Sequence, residues 1–160
     1  MIRAPKLKDF AAIHEVERAA FGREAEALLV EAVRGEGEAL FEFVAEQDGE
    51  IVGHILMSRM TCEPARRFAG LGPVAVRPDV QGRGWGEALC QAGIDAVRNL
   101  GAEAVVVLGH EAYYPRFGFS HEAAKLVASP YAHLPAFMAL ELAPGALGAP
   151  IKVDYPRSFG

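Results

Sequence analysis

Three glycines alternate with other residues in one short segment near the middle of the chain, Gln81-Gly82-Arg83-Gly84-Trp85-Gly86. The apolar residues Val74, Ala75 and Val76 precede it, and an apolar periodicity typical of a helix follows it. Glycines let the backbone turn tightly and approach a ligand closely. The first N–H groups of a helix have no acceptor within that helix. A strand, a glycine turn and a helix N-terminus in this order favour phosphate binding.

The spacing of the glycines decides between kinds of phosphate ligand. A dinucleotide fold needs G-x-G-x-x-G, but here the third glycine would fall at Glu87. A P-loop needs Gly-Lys-Ser or Gly-Lys-Thr, and the chain contains neither. The pattern that is present, Gln81-x-x-Gly84-x-Gly86 after an apolar strand, resembles the acyl-CoA pyrophosphate loop of the GNAT superfamily of N-acetyltransferases.

A second motif follows one predicted strand later. It consists of an apolar run over residues 105–108 and then Tyr114-Pro115-Arg116-Phe117-Gly118-Phe119. This segment resembles the second cofactor motif of the GNAT superfamily, Tyr-x-x-x-Gly-Phe, which carries the catalytic tyrosine there. The whole string is similar to a bacterial subgroup of predicted acetyltransferases, and the resemblance extends over nearly the whole chain. Its motifs are specific for the superfamily but not for a substrate.

The resemblance implies an acetyl-CoA-dependent N-acetyltransferase, in which a primary amine of a small molecule or protein attacks the thioester directly in a ternary complex. The backbone of Val74, Ala75 and Val76 would bind the pantetheine arm of coenzyme A like an added strand, with an N–H near Val76 facing the thioester oxygen. Residues 81–86 would bind the pyrophosphate, and Arg83 would add positive charge. A non-catalytic acyl-CoA-binding sensor or interaction domain is the alternative.

Acetyl transfer to an amine also needs a proton donor and a proton acceptor. The motif makes Tyr114 the candidate acid for the departing thiolate, because a phenol stays protonated at neutral pH. Alternatively, Tyr114 is a packing residue whose hydroxyl binds a backbone carbonyl. Tyr113 is not expected to face the same way on a helix and should lie on the substrate side or in the core. The base stays open among Glu63, Glu141, His110 and water.

Several other residues could attract a functional interpretation, but a structural one is favoured. His54 is expected to be a satisfied structural histidine, and the adjacent Arg66 and Arg67 a solvated pair. The sequence contains no C-x-x-C, so Cys62 and Cys90 are expected to be reduced thiols. No metal site is expected, because the remaining histidines share no metal-ligand spacing with each other or with a cysteine: His14, His121 and His133.

The composition bounds the kind of protein that carries these motifs. At 160 residues with 51% hydrophobic content, we expect one domain over residues 1–160. The net charge of −5 argues against non-specific binding to nucleic acid or to acidic membranes. No secretory signal is visible, and no apolar run approaches the roughly 20 residues that span a bilayer, so we expect a cytoplasmic protein.

The elements that must position the motifs form an α/β arrangement. Helices are expected over residues 6–21, 24–33 and 84–100, with a short helical turn over 111–117. Strands are expected over residues 1–5, 41–46, 51–60, 69–76, 104–108, 118–120, 137–142 and 151–155. Residues 47–49 should form a hairpin turn and residues 61–68 a polar loop. The resemblance implies a central, mostly antiparallel twisted sheet that splays at the cofactor strand, with helices on both faces. The strand over 137–142 could pair across a homodimer.

Overall fold

The computed structural model describes residues 1–160. Its three α-helices are α1 (Phe10–Phe21), α2 (Ala25–Gly35) and α3 (Trp85–Leu100). Its nine strands are β1 (Ile2–Arg3), β2 (Ala39–Gln47), β3 (Glu50–Arg59), β4 (Thr61–Glu63), β5 (Phe68–Val76), β6 (Ala104–Leu108), β7 (Val127–Ala128), β8 (Phe137–Glu141) and β9 (Ile151–Asp154). Short 3-10 turns cover Leu7–Asp9, Pro78–Val80, Tyr114–Phe117, Glu122–Ala124 and Arg157–Phe159.

Six of the strands form the central sheet, in the order β1-β2-β3-β5-β6-β8. Only β5 and β6 are parallel to each other, while all other neighbouring pairs in this sheet are antiparallel. The parallel pair is joined through α3, as a crossover between parallel strands requires. The mixed, mostly antiparallel sheet expected from the sequence is confirmed.

The sheet opens between β5 and β6. On one side, β5 pairs with β3 from Ala69 to Val76. On the other side, β5 pairs with β6 only from Phe68 to Leu71. Beyond Leu71, β5 therefore has a free edge where a parallel neighbour would normally lie. This opening confirms the expected splay at the cofactor strand.

Helices cover both faces of the sheet. Alternate residues of β3 point to opposite faces, and two neighbouring residues of this strand pack against different helices. Ile55 belongs to a buried cluster that includes Leu89 and Ile94 of α3. Leu56 belongs to another cluster, with Ile13 of α1 and two valines of α2, Val30 and Val33. The expectation of helices on both faces is confirmed. Cys90 lies in the α3 cluster and is fully buried.

The β2–β3 hairpin has the turn that Asp-Gly predicts. Gln47 pairs with Glu50, and the two residues between them have positive φ angles, 52° at Asp48 and 78° at Gly49. Two positive φ angles are typical of the type I′ turn, whose twist matches that of the strands on either side.

The sequence-based elements are wrong in several places. The strand β7 was not expected, β1 covers only Ile2–Arg3, and three further differences are informative. First, α1 begins at Phe10 rather than residue 6, because a 3-10 turn precedes it whose Asp9 carboxylate accepts the backbone N–H of Lys6. Second, the expected polar loop over 61–68 contains β4, which pairs with β9 in a second sheet of order β4-β9-β7. Third, residues 118–120 do not form a strand; Ser120 makes an isolated bridge to Ala139.

That bridge covers the middle of the outer edge of β8, the strand expected to be available for dimer pairing. Ser120 and Ala139 exchange both backbone hydrogen bonds, at 3.1 and 3.0 Å. Pairing across a homodimer stays a prediction. None of the three helices combines the length and the apolar character needed to cross a membrane.

Candidate active site

The free edge of β5 presents backbone groups to the opening in the sheet. Arg77, just after β5, donates its N–H to the carbonyl of Val52 on β3, at 2.7 Å. Because successive residues of a strand direct their backbone groups to opposite sides, Val76 directs its N–H and carbonyl away from β3. The carbonyl of Val76 accepts a hydrogen bond from the side-chain amide of Gln81, at 2.9 Å. The N–H of Val76 faces the opening.

The glycine turn leads into α3 and leaves its first amides unpaired. Gly84 is the N-cap of α3 and has φ 89°, a left-handed conformation that favours glycine. The first N–H group with a carbonyl acceptor in this helix belongs to Ala88, which donates to Gly84 at 3.0 Å. No side chain caps this end of the helix. The amides before Ala88 are therefore available to an anion, which the positive end of the helix dipole also favours.

A cavity of about 650 Å³ joins these two features. Phe21 at the end of α1 and Gly86 at the start of α3 both line it, so the cavity passes through the opening from one face of the sheet to the other. The lining residues are Phe21, Leu71, Gly72, Pro73, Val74, Val76, Gln81, Gly82, Gly84, Trp85, Gly86, Glu87, Leu108, Gly109, His110, Tyr113, Tyr114 and Arg116. This size is typical of a pocket for a small ligand or cofactor.

Most of the expected cofactor residues are brought together in this cavity, but two are not among its lining residues. Ala75 is buried, because its side chain points away from the cavity between those of Val74 and Val76. Arg83 is exposed and forms no ion pair. Trp85 is held by a hydrogen bond from its indole N–H to the side-chain oxygen of Gln47, at 3.0 Å.

Tyr114 lies at the wall of the cavity, largely buried at 6% exposure. Its ring packs edge-on against Phe119, with 5.9 Å between ring centroids. The hydroxyl makes no hydrogen bond within the chain and is not among the buried unpaired polar atoms. The alternative of a packing tyrosine bound to a backbone carbonyl is therefore not what the structure shows. Burial raises the pKa of Tyr114 above that of an ordinary tyrosine, so the hydroxyl keeps its proton.

Tyr113 lines the same cavity as Tyr114 but at a different part of its wall, and the two rings are nearly perpendicular. This arrangement agrees with the different orientation expected of the two side chains, although Tyr113 is the N-cap of a 3-10 turn and not part of a regular helix. Burial raises the pKa of Tyr113 to about 12. The guanidinium of Arg116 lies over the Tyr113 ring, 4.1 Å from its centroid. A Cβ on Gly86 would lie 3.3 Å from the Tyr113 hydroxyl, so this hydroxyl sits close to the start of α3.

Among the candidate bases, the structure brings only His110 into the cavity. Glu63 lies in the second sheet, opposite Lys152 of β9. Glu141 accepts the backbone N–H of Leu147 at 2.9 Å, a structural role. Neither carboxylate lines the cavity.

His54 is a satisfied core histidine, as expected. It is fully buried on β3, and its ring nitrogens lie 2.6 Å from Glu17 of α1 and 2.8 Å from Glu42 of β2. Arg34 of α2 binds Glu42 in turn, at 2.8 Å. Burial alone would lower the pKa of His54, but the two carboxylates outweigh it and raise the pKa. The four side chains tie α1 and α2 to the sheet.

Arg66 and Arg67 are exposed and do not line the cavity. Arg66 pairs with Glu103 at 2.9 Å, and the Glu103 carboxylate also accepts the N–H of Arg67. The expected solvated position of both side chains is confirmed.

Sequence reasoning did not assign a site role to several cavity residues. The family resemblance places the segment Phe21-Gly22-Arg23 where relatives build the acceptor cleft, but as a plain sequence feature it is only a turn between two predicted helices. Leu108 is only the end of a predicted strand. Glu87 and Arg116, 3.8 Å apart, also line the cavity.

The family model described as "Acetyltransferase (GNAT) family" matches residues 10–119. The N-acetyltransferase YjhQ of Escherichia coli K12 is 41% identical over 118 residues, which cover 69% of this chain and 64% of YjhQ. This chain thus matches somewhat less than two thirds of the length of that relative. The N-acetyltransferase YhbS of Escherichia coli K12 is 33% identical over 121 residues, or 74% of this chain and 72% of YhbS.

Two solved structures resemble this one closely. The structure of YhbS from Escherichia coli in complex with CoA has a TM-score of 0.91 at 32% identity, covering 99% of this chain and 91% of that one. A GNAT acetyltransferase from Brucella melitensis in complex with acetyl-CoA has a TM-score of 0.84 at 33% identity, covering 100% and 97%. The fold and the site together define an acetyltransferase of the acyl-CoA-binding class.

The chain belongs to the GNAT family of acetyltransferases. The family, the fold and the enzyme class expected from the sequence are confirmed. Acetyl-CoA as the cofactor of this class agrees with the two neighbours crystallised with CoA and acetyl-CoA.

Proposed function

We propose that this protein transfers the acetyl group of acetyl-CoA to a primary amine by direct attack in a ternary complex. One observation carries the proposal: unpaired amides at the start of α3 and the free edge of β5 line a single cavity. In this proposal the diphosphate binds the amides of residues 82–87. The pantetheine arm lies along this free edge of β5, in the place that β6 leaves open, so that the thioester reaches the N–H of Val76.

The N–H of Val76 then stabilises the negative charge that develops on the thioester oxygen. One such donor contributes about 2.7–4 kcal/mol to transition-state stabilisation in other acyl-transfer enzymes. The Gln81 side chain supports this geometry, because it binds the Val76 carbonyl and so fixes the orientation of the peptide groups around it. Arg83, exposed beside the turn, adds charge for the phosphates.

Tyr114 protonates the departing thiolate in this mechanism. Its raised pKa keeps it protonated at neutral pH, and its hydroxyl has no acceptor within the chain. The thiolate of coenzyme A gains the proton, and the tyrosine is reprotonated from solvent. This step explains why the hydroxyl is left free at the wall of the cavity.

Direct attack is favoured over an acetyl-enzyme intermediate by the positions of the cysteines. Cys90 is fully buried and does not line the cavity, and burial raises the pKa of its thiol to about 12. A protonated thiol is a poor nucleophile. Cys62 lies in β4, in the other sheet. The amine itself is then the attacking group.

His110 or a water molecule takes the proton of the amine in this mechanism, because no carboxylate of the earlier candidates reaches the cavity. The acceptor itself, a cytoplasmic location and a homodimer stay predictions. A non-catalytic acyl-CoA sensor remains the second candidate function.

Steady-state kinetics with acetyl-CoA and a reactive amine test the proposal. Thiol release that depends on the amine, with intersecting double-reciprocal lines, is the expected result. Parallel lines would indicate an acetyl-enzyme intermediate. Tight acetyl-CoA binding without thiol release from any amine would favour the sensor. Mass spectrometry of the product confirms that the amine carries the acetyl group.

A further inference from the structure

The part of the cavity opposite the phosphate loop has a distinct chemical character. It is lined by Phe21 of α1, by Leu71 and Pro73 of β5, and by Leu108 at the end of β6, all apolar. We refer to these four residues, together with His110, as the acceptor end. Phe21 and Leu108 are 42% and 41% exposed, so both present apolar surface to the cavity.

No carboxylate belongs to the acceptor end. Glu87 is the only acidic residue that lines the cavity, and it lies in the first turn of α3, beside the phosphate loop. There its carboxylate faces the guanidinium of Arg116, at 3.8 Å. A cation placed at the acceptor end would therefore lose hydration without gaining an ionic partner, which is unfavourable.

Carboxylates near the α1–α2 connection do not supply that partner, because each is already paired within the chain. Glu24 binds His14 at 2.6 Å. Glu26 binds Arg23. Glu17 is fully buried against His54. The protein is acidic overall, with a net charge of −5, yet its cavity offers no free negative charge to an ammonium group.

We propose that the acceptor is a weakly basic amine attached to an apolar group, and not a polycation. This inference rests on the proposed acetyl transfer and adds the class of substrate. An α-amine, with a pKa of about 7.7–8.0, is neutral in roughly one molecule in ten at pH 7. A lysine-type amine, with a pKa of about 10.4, is neutral in roughly one in 2,500. A weakly basic amine thus enters the cavity uncharged.

An amine that enters the cavity uncharged also needs no strong base to react. The neutral nitrogen attacks the thioester carbon, the C–N bond forms and the C–S bond breaks. The proton lost from the nitrogen passes to His110 or water, and the sulfur receives the proton of Tyr114. The products are the N-acetyl amine and free coenzyme A. The apolar group of the acceptor covers Phe21 and Leu108.

A panel of amines tests the inference by thiol release and by calorimetric titration of the CoA complex. Phenylalaninamide and 4-ethylaniline represent two sources of the proposed chemistry, and glycinamide lacks the apolar group. Spermidine and kanamycin represent polycations. We expect the better substrate of phenylalaninamide and 4-ethylaniline to have a kcat/KM at least tenfold higher than glycinamide, spermidine or kanamycin. The same amine should also bind the CoA complex more tightly than these three compounds. Higher turnover or tighter binding of a polycation, or no binding of either apolar amine, would overturn the inference.

Two variants sharpen this test. Leu108→Glu places a carboxylate at the acceptor end, and we expect it to lower kcat/KM for the apolar amine at least fivefold and to strengthen spermidine binding. Leu100→Glu, at an exposed position at the end of α3 and outside the cavity, should change neither. Identical behaviour of the two variants would contradict the proposal. Acetyl-CoA binding, measured in the same samples, reports separately on the proposed function, since its loss would reject acetyl transfer itself.

Discussion

Gly109 and Tyr114 are in such close contact that no other residue type fits at Gly109 without moving the tyrosine. A Cβ built on Gly109 would lie 2.3 Å from Cε2 and 3.0 Å from Cδ2 of the Tyr114 ring. The ring is buried and is also packed against Tyr113 and Phe119, so it has little room to give way. The short connection after β6 thus sets the position of the proposed acid.

Gly109→Ala should therefore impair catalysis more than cofactor binding. We expect kcat to fall about 10²-fold, the cost of misplacing a reacting group by roughly 1 Å. Overpacking should lower the free energy of unfolding by about 1–3 kcal/mol. Thiol-release kinetics and urea denaturation measure the two effects.

Gly35→Ala is the matched control, because a Cβ on Gly35 at the end of α2 would meet nothing within 4 Å. This variant should keep full activity and be slightly more stable, by about 0.5–1 kcal/mol, since alanine favours a helix. Equal activity of the two variants would show that Gly109 does not position Tyr114 for catalysis.

Tyr114→Phe should lower kcat by about 10²–10⁴-fold, the usual contribution of a positioned general acid. The affinity for acetyl-CoA should stay the same, because the hydroxyl is not part of the phosphate loop. Tyr113→Phe serves as the control in the neighbouring position and should keep kcat within a few-fold. The acid assignment fails if both variants retain the wild-type rate over the whole pH range.

His54→Ala should strongly destabilise the fold. It removes the shared partner of two buried carboxylates, Glu17 and Glu42, and such a loss costs about 3–5 kcal/mol. His14 also lies between two glutamates, but with 27% of its side chain exposed, so His14→Ala should cost less than about 1 kcal/mol. Urea denaturation at neutral pH gives both values. Similar losses of unfolding free energy in the two variants would mean that burial does not increase the contribution of the His54 network to stability.

Stability should also depend on pH through this network. The pKa of His54 is raised above its ordinary value of 6.5, so its stabilising contribution is complete below that pH and is lost as the pH rises through the raised pKa. Burial opposes ionisation of Glu42, but Arg34 and His54 hold its pKa at about 2, so its contribution is present above about 4.5 and lost as the pH falls toward 2. Burial raises the pKa of Glu17, which also makes stability fall with rising pH.

The wild type should therefore lose more unfolding free energy between pH 6 and pH 9 than His54→Gln, which keeps a hydrogen-bonding side chain but cannot be charged. Parallel stability curves over this range would contradict a charged His54 in the folded protein. The Gln variant also allows the measurement to be made if His54→Ala does not fold.

The features that were predicted correctly from the sequence are those that depend on a local residue pattern. The glycine turn at 81–86, the helix after it and the Asp48-Gly49 hairpin all follow from backbone requirements that glycine meets. The β4-β9-β7 sheet could not be predicted, because Thr61 and Ile151 are far apart in sequence and their strands are short. The lining role of Phe21 also depends on tertiary packing, since only the fold brings the end of α1 to the opening in the sheet.

The base assignments show the same limit. Glu63 and Glu141 are carboxylates and therefore chemically suitable as the base, but residue type alone does not predict where a side chain lies in the fold. Glu63 is held outside the cavity by its strand pairing with β9, and Glu141 by the hydrogen bond that it accepts from Leu147. His110 lies two residues after the end of β6 and close in sequence to Tyr114, so the strand and the tyrosine motif together bring it to the cavity.

The central claim is that amides of the glycine turn and of the α3 N-terminus bind the diphosphate of coenzyme A. Calorimetric titration of the wild-type protein with acetyl-CoA and with S-acetylpantetheine, which lacks the diphosphate and the nucleotide, tests this claim most directly. The account predicts saturable acetyl-CoA binding and an affinity for the pantetheine fragment at least a hundredfold weaker. Equal affinities, or no acetyl-CoA binding, would contradict it.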